Sequence, residues 1–166
     1  MHAGIDVSKA IGAAPRRTAP HWILVTPVGG RGALATYKFY RSVVDYVDDD
    51  EKRRSFGVVM NALGHAAQQS NYQEVLRGSQ VDVKSAHNFT YGGQTHKVWE
   101  LKYNKKDRVY FFPLQVRQGA VQRSAIVLLL AYHKKDQTTP KDVALGLESV
   151  MRKYLDPRAS IEICRE

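Results

Sequence analysis

From Trp22 onward the chain alternates between short apolar runs and amphipathic stretches, separated by polar and glycine-bearing breaks. Trp22–Val25, closed by Pro27, predicts a strand at a sheet edge, and the Gly29-Gly30-Arg31-Gly32 run predicts a turn. Leu34, Tyr37, Phe39, Tyr40, Val43, Val44 and Val47 recur at helical spacing and predict a helix over 33–47. Asp48, Asp49, Asp50 and Glu51 suit a helix start, because carboxylates accept from free backbone N–H groups and oppose the positive end of the dipole. A second helix over 49–69 follows, with Phe56, Val59, Met60, Leu63 and Ala67 on one face. Residues 70–96 are polar and broken by Gly78, Gly92 and Gly93. They read as a loop with at most one short strand. The period then changes to two. Lys97–Tyr103 and Arg108–Pro113 flank the turn residues Asn104–Asp107 and predict a β-hairpin. After a polar loop over 114–124, Ala125–Tyr132 is apolar on both faces, as a central strand is. Thr139 and Pro140 open a last helix over 140–155, where Pro fits the first turn. Pro15 and Pro20 interrupt residues 1–20, which read as a flexible leader. Residues 157–166 read as a tail.

This order predicts an α+β fold: two N-terminal helices on a small, mainly antiparallel twisted sheet, with a C-terminal helix. Its 166 residues and 43% hydrophobic content fit a single domain over 21–156 with a core of its own. A lone cysteine, Cys164, rules out a disulfide framework and a cysteine-based zinc site. No apolar run approaches the about 20 residues that cross a bilayer. The longest, Ala125–Tyr132, is strand-sized, and no secretory signal opens the chain. The expectation is a cytoplasmic protein with no membrane partner, and the sequon at Asn88 then marks only a polar loop.

Charge narrows the partner. The net charge is +9 and the sequence pI near 9.7, which points to a polyanion, nucleic acid first. Residues 1–83 carry +2 of it and residues 84–166 carry +7. The Gly29–Gly32 turn lacks the spacing of a phosphate-binding loop. The acidic run at 48–51 fits capping better than cation binding, since neighbouring carboxylates on a helix diverge. The six histidines show no metal-binding spacing, and no serine-hydrolase elbow is present. No cofactor or metal is expected.

The basic half concentrates its chemistry in the hairpin and the strand after it. Lys102 and Arg108 lie at facing strand ends, with Lys105 and Lys106 in the turn. The central strand delivers His133, Lys134 and Lys135 at its end. If these strands are neighbours, the cations line one face or rim suited to a phosphodiester backbone. Tyr103, Tyr110 and Tyr132 offer rings for base stacking. A solvated basic rim over core tyrosines fits the spacing equally well.

Four pieces carry a resemblance: Trp99-Glu100-Leu101-Lys102, Arg108-Val109-Tyr110-Phe111, Ile126–Tyr132 followed by Lys134-Lys135, and Thr139-Pro140. In this order they resemble the RelE/ParE superfamily of toxins, closest to the branch that holds HigB and the phage-derived killer proteins. The resemblance spans about residues 22–155. It implies a RelE-like fold and a toxin encoded beside an antitoxin, of helix-turn-helix or acidic, partly disordered type. It also implies metal-independent cleavage of mRNA in the ribosomal A site. Lys102 and Arg108 fall where the nuclease branch places cations on its sheet, and Lys134 and Lys135 match its Lys-Lys motif. The ParE branch poisons DNA gyrase instead, and a noncatalytic nucleic-acid-binding or phage accessory protein is a third reading.

In a metal-free cut the 2′-OH attacks phosphorus, a base removes its proton and an acid protonates the leaving 5′-oxygen. Arg108 is the expected phosphate clamp, because its forked donors match the group. Lys102 and Lys134 would neutralise developing charge. His133 is the base or acid, since imidazole exchanges protons near neutrality; a lysine among clustered cations is the other candidate base. Lys105, Lys106, Lys135, Tyr110 and Tyr132 complete the RNA-binding set. Glu100 is expected to pair with a cation such as Lys102.

Overall fold

The computed structural model describes residues 2–6, 21–28, 38–118, 120–133, 139–156 and 161–164. Its elements run β1 (His2–Asp6), β2 (Trp22–Val28), α1 (Lys38–Tyr46), α2 (Asp50–Ala66), α3 (Tyr72–Arg77), β3 (Asp82–Tyr91), β4 (Gln94–Tyr103), β5 (Asp107–Gln118), β6 (Val121–His133), α4 (Lys141–Leu155) and β7 (Ile161–Cys164). The class is α+β, and the sheet is mixed. Its strand order is β3-β4-β5-β6-β2-β1-β7, in which β3 to β2 are the five longer strands. The β3–β4, β4–β5, β5–β6 and β1–β2 pairs are antiparallel, whereas β2–β6 and β1–β7 are parallel. Strand β7 also touches β5 at Arg117 and Glu162, so the far side of the sheet curls back on itself.

Each face of the sheet carries its own core. Alternate residues of a strand point to opposite faces. Leu101, Val109, Phe111, Ile126, Leu128 and Ala131 therefore face one way, against Phe39, Tyr46, Val59, Met60, Leu63 and Leu76 of α1–α3. Val98, Tyr110, Phe112, Val127 and Leu129 face the other, against Leu147, Met151 and Tyr154 of α4. Asp49 caps α2 as expected: its carboxylate accepts from the Lys52 N–H at 2.8 Å. Ser42 ties α1 to the sheet, donating to Phe39 O and accepting from the Ala131 N–H at 2.9 Å.

Several expectations change. Residues 70–96 are not a loop but α3 followed by the ten-residue strand β3. The β3–β4 register shifts between Ser85 and His87, so Ala86 is an extra residue. One extra residue reverses the facing of everything beyond it. Val83 consequently packs with the α1–α3 core, whereas Phe89 and Tyr91 pack with the α4 core. The expected loop over 114–124 is likewise strand, because β5 and β6 form a longer ribbon than their apolar centres mark. Pro113 sits inside β5 because β4 pairs with β5 only as far as Phe111, which leaves Pro113 one ladder, with β6. His2–Asp6 of the expected leader and Ile161–Cys164 of the expected tail are strands rather than free ends. The Gly29–Gly32 turn and residues 33–37 of the first predicted helix lie outside the described residues. No described helix is long and apolar enough to cross a membrane.

Candidate functional site at the end of the hairpin

The β4–β5 turn and the end of β6 meet at one end of the sheet. Tyr103 pairs with Asp107 across the hairpin, and Asp107 pairs with His133 on β6. By parity these three residues face the α1–α3 side. Lys102, Arg108 and Tyr132 form the adjacent row, facing the α4 side. Lys102 and Arg108 share one face, as neighbouring strands would require, and Tyr110 and Tyr132 lie on that face with them. The sequence reading misplaces His133, which follows Tyr132 and so points through the sheet the other way. Lys134 and Lys135 lie outside the described residues.

Arg108 is not the expected phosphate clamp, since its side chain is fully buried. Nη1 donates to Asp107 O at 3.0 Å and Nη2 to Lys105 O at 2.6 Å, while Nε lies 3.4 Å from Glu100 Oε1. The guanidinium therefore spans both ends of the turn. Glu100 is also fully buried, and it pairs with Arg108 and Lys84, the latter at 3.2 Å, rather than with Lys102. Lys84 stands directly opposite Glu100 in the ladder, and such cross-strand neighbours approach more closely than i, i+2 residues of one strand. Tyr110 is buried too, so it is no stacking platform. Its hydroxyl lies 3.4 Å from Thr139 Oγ1, and burial pushes its pKa up to about 12.

Lys105 and Lys106 are exposed at the turn, and Lys102 and Tyr132 are half-buried. Asn104 and Lys105 hold positive φ values of 53° and 60°. Non-glycine residues adopt this conformation at a cost and keep it only where their surroundings impose it. Two bonds do so here: Arg108 grips the Lys105 carbonyl, and Asn104 Nδ2 donates to Ser55 Oγ on α2 at 3.0 Å. The basic tip is thus braced from beneath and from the side.

On the α1–α3 side stands the group best suited to move a proton. His133 Nδ1 lies 2.7 Å from Asp107 Oδ1. Ionised Asp107 only accepts, so Nδ1 carries the hydrogen and Nε2 is left as the proton-exchanging atom. The His133 side chain is 35% exposed and that of Asp107 only 5%. Tyr46, at the end of α1, stands beside this pair, and its ring centre is 6.3 Å from that of His133. Burial first, then the charge and hydrogen bond of Asp107, hold the Tyr46 hydroxyl far above the usual tyrosine range. Tyr46 therefore keeps its proton beside the Asp107 carboxylate. The sequence reading missed both residues. Cross-strand register would have exposed Asp107; Tyr46 lies too far away in sequence for any local signal. Among the described residues, no group of three or more His, Cys, Asp and Glu side chains is arranged to hold a metal ion. No family model matches this chain, and neither the curated proteins nor the solved structures contain a match.

Proposed function

We propose that this protein is an endoribonuclease that cuts RNA at the His133 end of its sheet, acting as a growth-arresting toxin of the RelE/HigB kind. The observation that carries the nuclease reading is the 2.7 Å His133–Asp107 hydrogen bond at the same sheet end as the exposed Lys105 and Lys106. A histidine oriented by a carboxylate beside cations is the set of groups that transesterification needs. The 2′-OH attacks the adjacent phosphorus, forming the P–O2′ bond as the P–O5′ bond breaks. The products are a 2′,3′-cyclic phosphate and a free 5′-OH. His133 Nε2 exchanges one of the two protons, and Asp107 holds the ring in place through Nδ1. Lys134, next in the chain, is the candidate partner for the other proton. Lys105 and Lys106, exposed at the turn of the same sheet end, neutralise phosphate charge, while Lys102, the other expected cation, faces the α4 side.

The toxin reading rests on the four motif pieces in their order. With it come mRNA in the ribosomal A site as substrate, a cognate antitoxin as partner, a cytoplasmic location and the RelE-like details of the fold. A noncatalytic nucleic-acid-binding protein is the second reading. The burial of Arg108 favours it, because the strongest expected phosphate clamp is turned inward.

The test compares the wild type with His133→Gln and Asp107→Asn for cleavage of ribosome-bound mRNA and for growth arrest on induction. Both variants should lose cleavage by at least a hundredfold while still folding and binding RNA. Undiminished cleavage by His133→Gln would remove the site assignment. A wild type that binds RNA and never cuts it would favour the noncatalytic reading.

A further inference from the structure

At the opposite end of β4, four rings and a guanidinium gather on the α4 side. Phe89 is at the centre, 8% exposed. His87 stacks on it at 6.2 Å with an interplanar angle of 18°, and His96 lies 5.7 Å away. Tyr91 meets the edge of His96 at 6.5 Å. Arg152 of α4 lies over both Phe89 and Tyr91, 5.2 and 5.6 Å from their centres. The Ala86 bulge brings this about, since it turns His87, Phe89 and Tyr91 toward α4.

Part of the cluster is a brace. Arg152 pairs with Glu148 at 2.7 Å and donates to Thr90 O at 3.1 Å, and Glu148 also receives His87 at 2.8 Å. A brace alone would bury its rings. Tyr91, His87 and His96 instead remain half-exposed around Phe89, and the Arg152 side chain is 42% exposed. His96 Nε2 lies 3.3 Å from the Tyr91 carbonyl, which can only accept, so Nε2 carries the hydrogen. In the neutral ring Nδ1 is then an acceptor for a base N–H such as the N3–H of uracil.

We infer that the Tyr91–His96–Arg152 patch is a binding platform for the bases of a single-stranded nucleic acid. Aromatic rings and an arginine plane offer stacking surface to any base. A chain of net charge +9 attracts the polyanion that carries those bases. Seven residues of β4 separate His96 from Tyr103, which at about 3.3 Å per residue is roughly 23 Å. The platform therefore lies well away from His133, on the other face of the sheet. It goes beyond the nuclease reading and does not depend on cleavage.

The test titrates a fluorescein-labelled oligouridylate and an abasic ribose-phosphate oligomer of equal length into the full chain. Variants are Tyr91→Leu/His96→Leu, which keeps apolar bulk, and Tyr91→Trp, which enlarges the ring. The leucine pair should raise Kd for oligouridylate about tenfold and leave the abasic oligomer unchanged. Tyr91→Trp should bind oligouridylate at least as tightly as the wild type. The platform is overturned if the leucine pair binds oligouridylate like the wild type. It is equally overturned if the leucine pair, with the circular dichroism spectrum of the wild type, loses both oligomers together, which indicates backbone attraction alone. Because cleavage is not read out, a protein that cuts nothing can still support the platform, and an active nuclease can still refute it.

Discussion

Arg108 Nη2 donates to the Lys105 carbonyl at 2.6 Å, so a fully buried cation supports an exposed one. The same guanidinium lies against buried Glu100. Arg108→Met leaves that carboxylate in the interior with Lys84 as its named cation, and stability should fall by about 3–5 kcal/mol. Glu100→Met/Arg108→Met should recover most of the loss, because replacing both members takes the carboxylate out of the interior as well. Urea unfolding of the three proteins measures this; equal stability of the two variants would contradict it.

The tip itself is strained. Lys105→Gly relieves a positive φ at a residue with a Cβ and should stabilise the fold by about 1 kcal/mol. In a domain of this size that is a rise in melting temperature of roughly 2–4 °C. Lys105→Val should move it the opposite way, since a β-branched residue fits that conformation worse.

Acid should loosen the seam between α4 and β3. The hydrogen bond from His87, and then that from Arg152, hold the Glu148 carboxyl below its ordinary value of 4.5. A lowered folded value means the contribution is complete above the unfolded value and fades as the pH falls through the folded one. Glu148→Gln should therefore melt below the wild type at neutral pH and approach it under pH 4.5. Parallel melting curves across that range would count against the pairing.

Alkali should act on Tyr110. Its folded value of about 12 exceeds the ordinary 10.0, chiefly because the ring is buried. The stabilisation is intact below pH 10 and disappears as pH climbs through 12. Tyr110→Phe should show a shallower alkaline fall in melting temperature over that window. Some fall should persist, because Tyr46 and Tyr72 are also held above their ordinary values by burial.

The helices and the middle of the hairpin were legible because their apolar residues keep one period. Phe56, Val59, Met60 and Leu63 mark α2, and the alternation of Trp99, Leu101 and Tyr103 marks β4. Strand β3 was illegible because Ala86 breaks its alternation midway, so neither half is long enough to declare itself. The outer parts of β5 and β6 were hidden because Gln115, Arg117 and Gln122 are exposed, and polar stretches read as loops. At the site, Lys102 and Arg108 stand opposite each other, as the hairpin pattern predicts, and register adds Tyr132 to their row. What spacing cannot reveal is depth. Nothing local says that Arg108 finds two carbonyls and a carboxylate in the interior while Lys105, three residues earlier, finds none.

The extra residue at Ala86 also decides how this molecule meets others. With β7 closing toward β5, β3 is the one strand among the described residues whose outer side meets no neighbour. A straight ten-residue edge of this kind is a template for stray pairing between molecules. The bulge interrupts it near the middle, and the 2.7 Å bond from Ser85 Oγ to Asn88 Oδ1 spans the interruption. Removing Ala86 would do more than turn Phe89 and Tyr91 away from α4. It would straighten the β3 border of the sheet and leave it prone to pair edge to edge with another molecule.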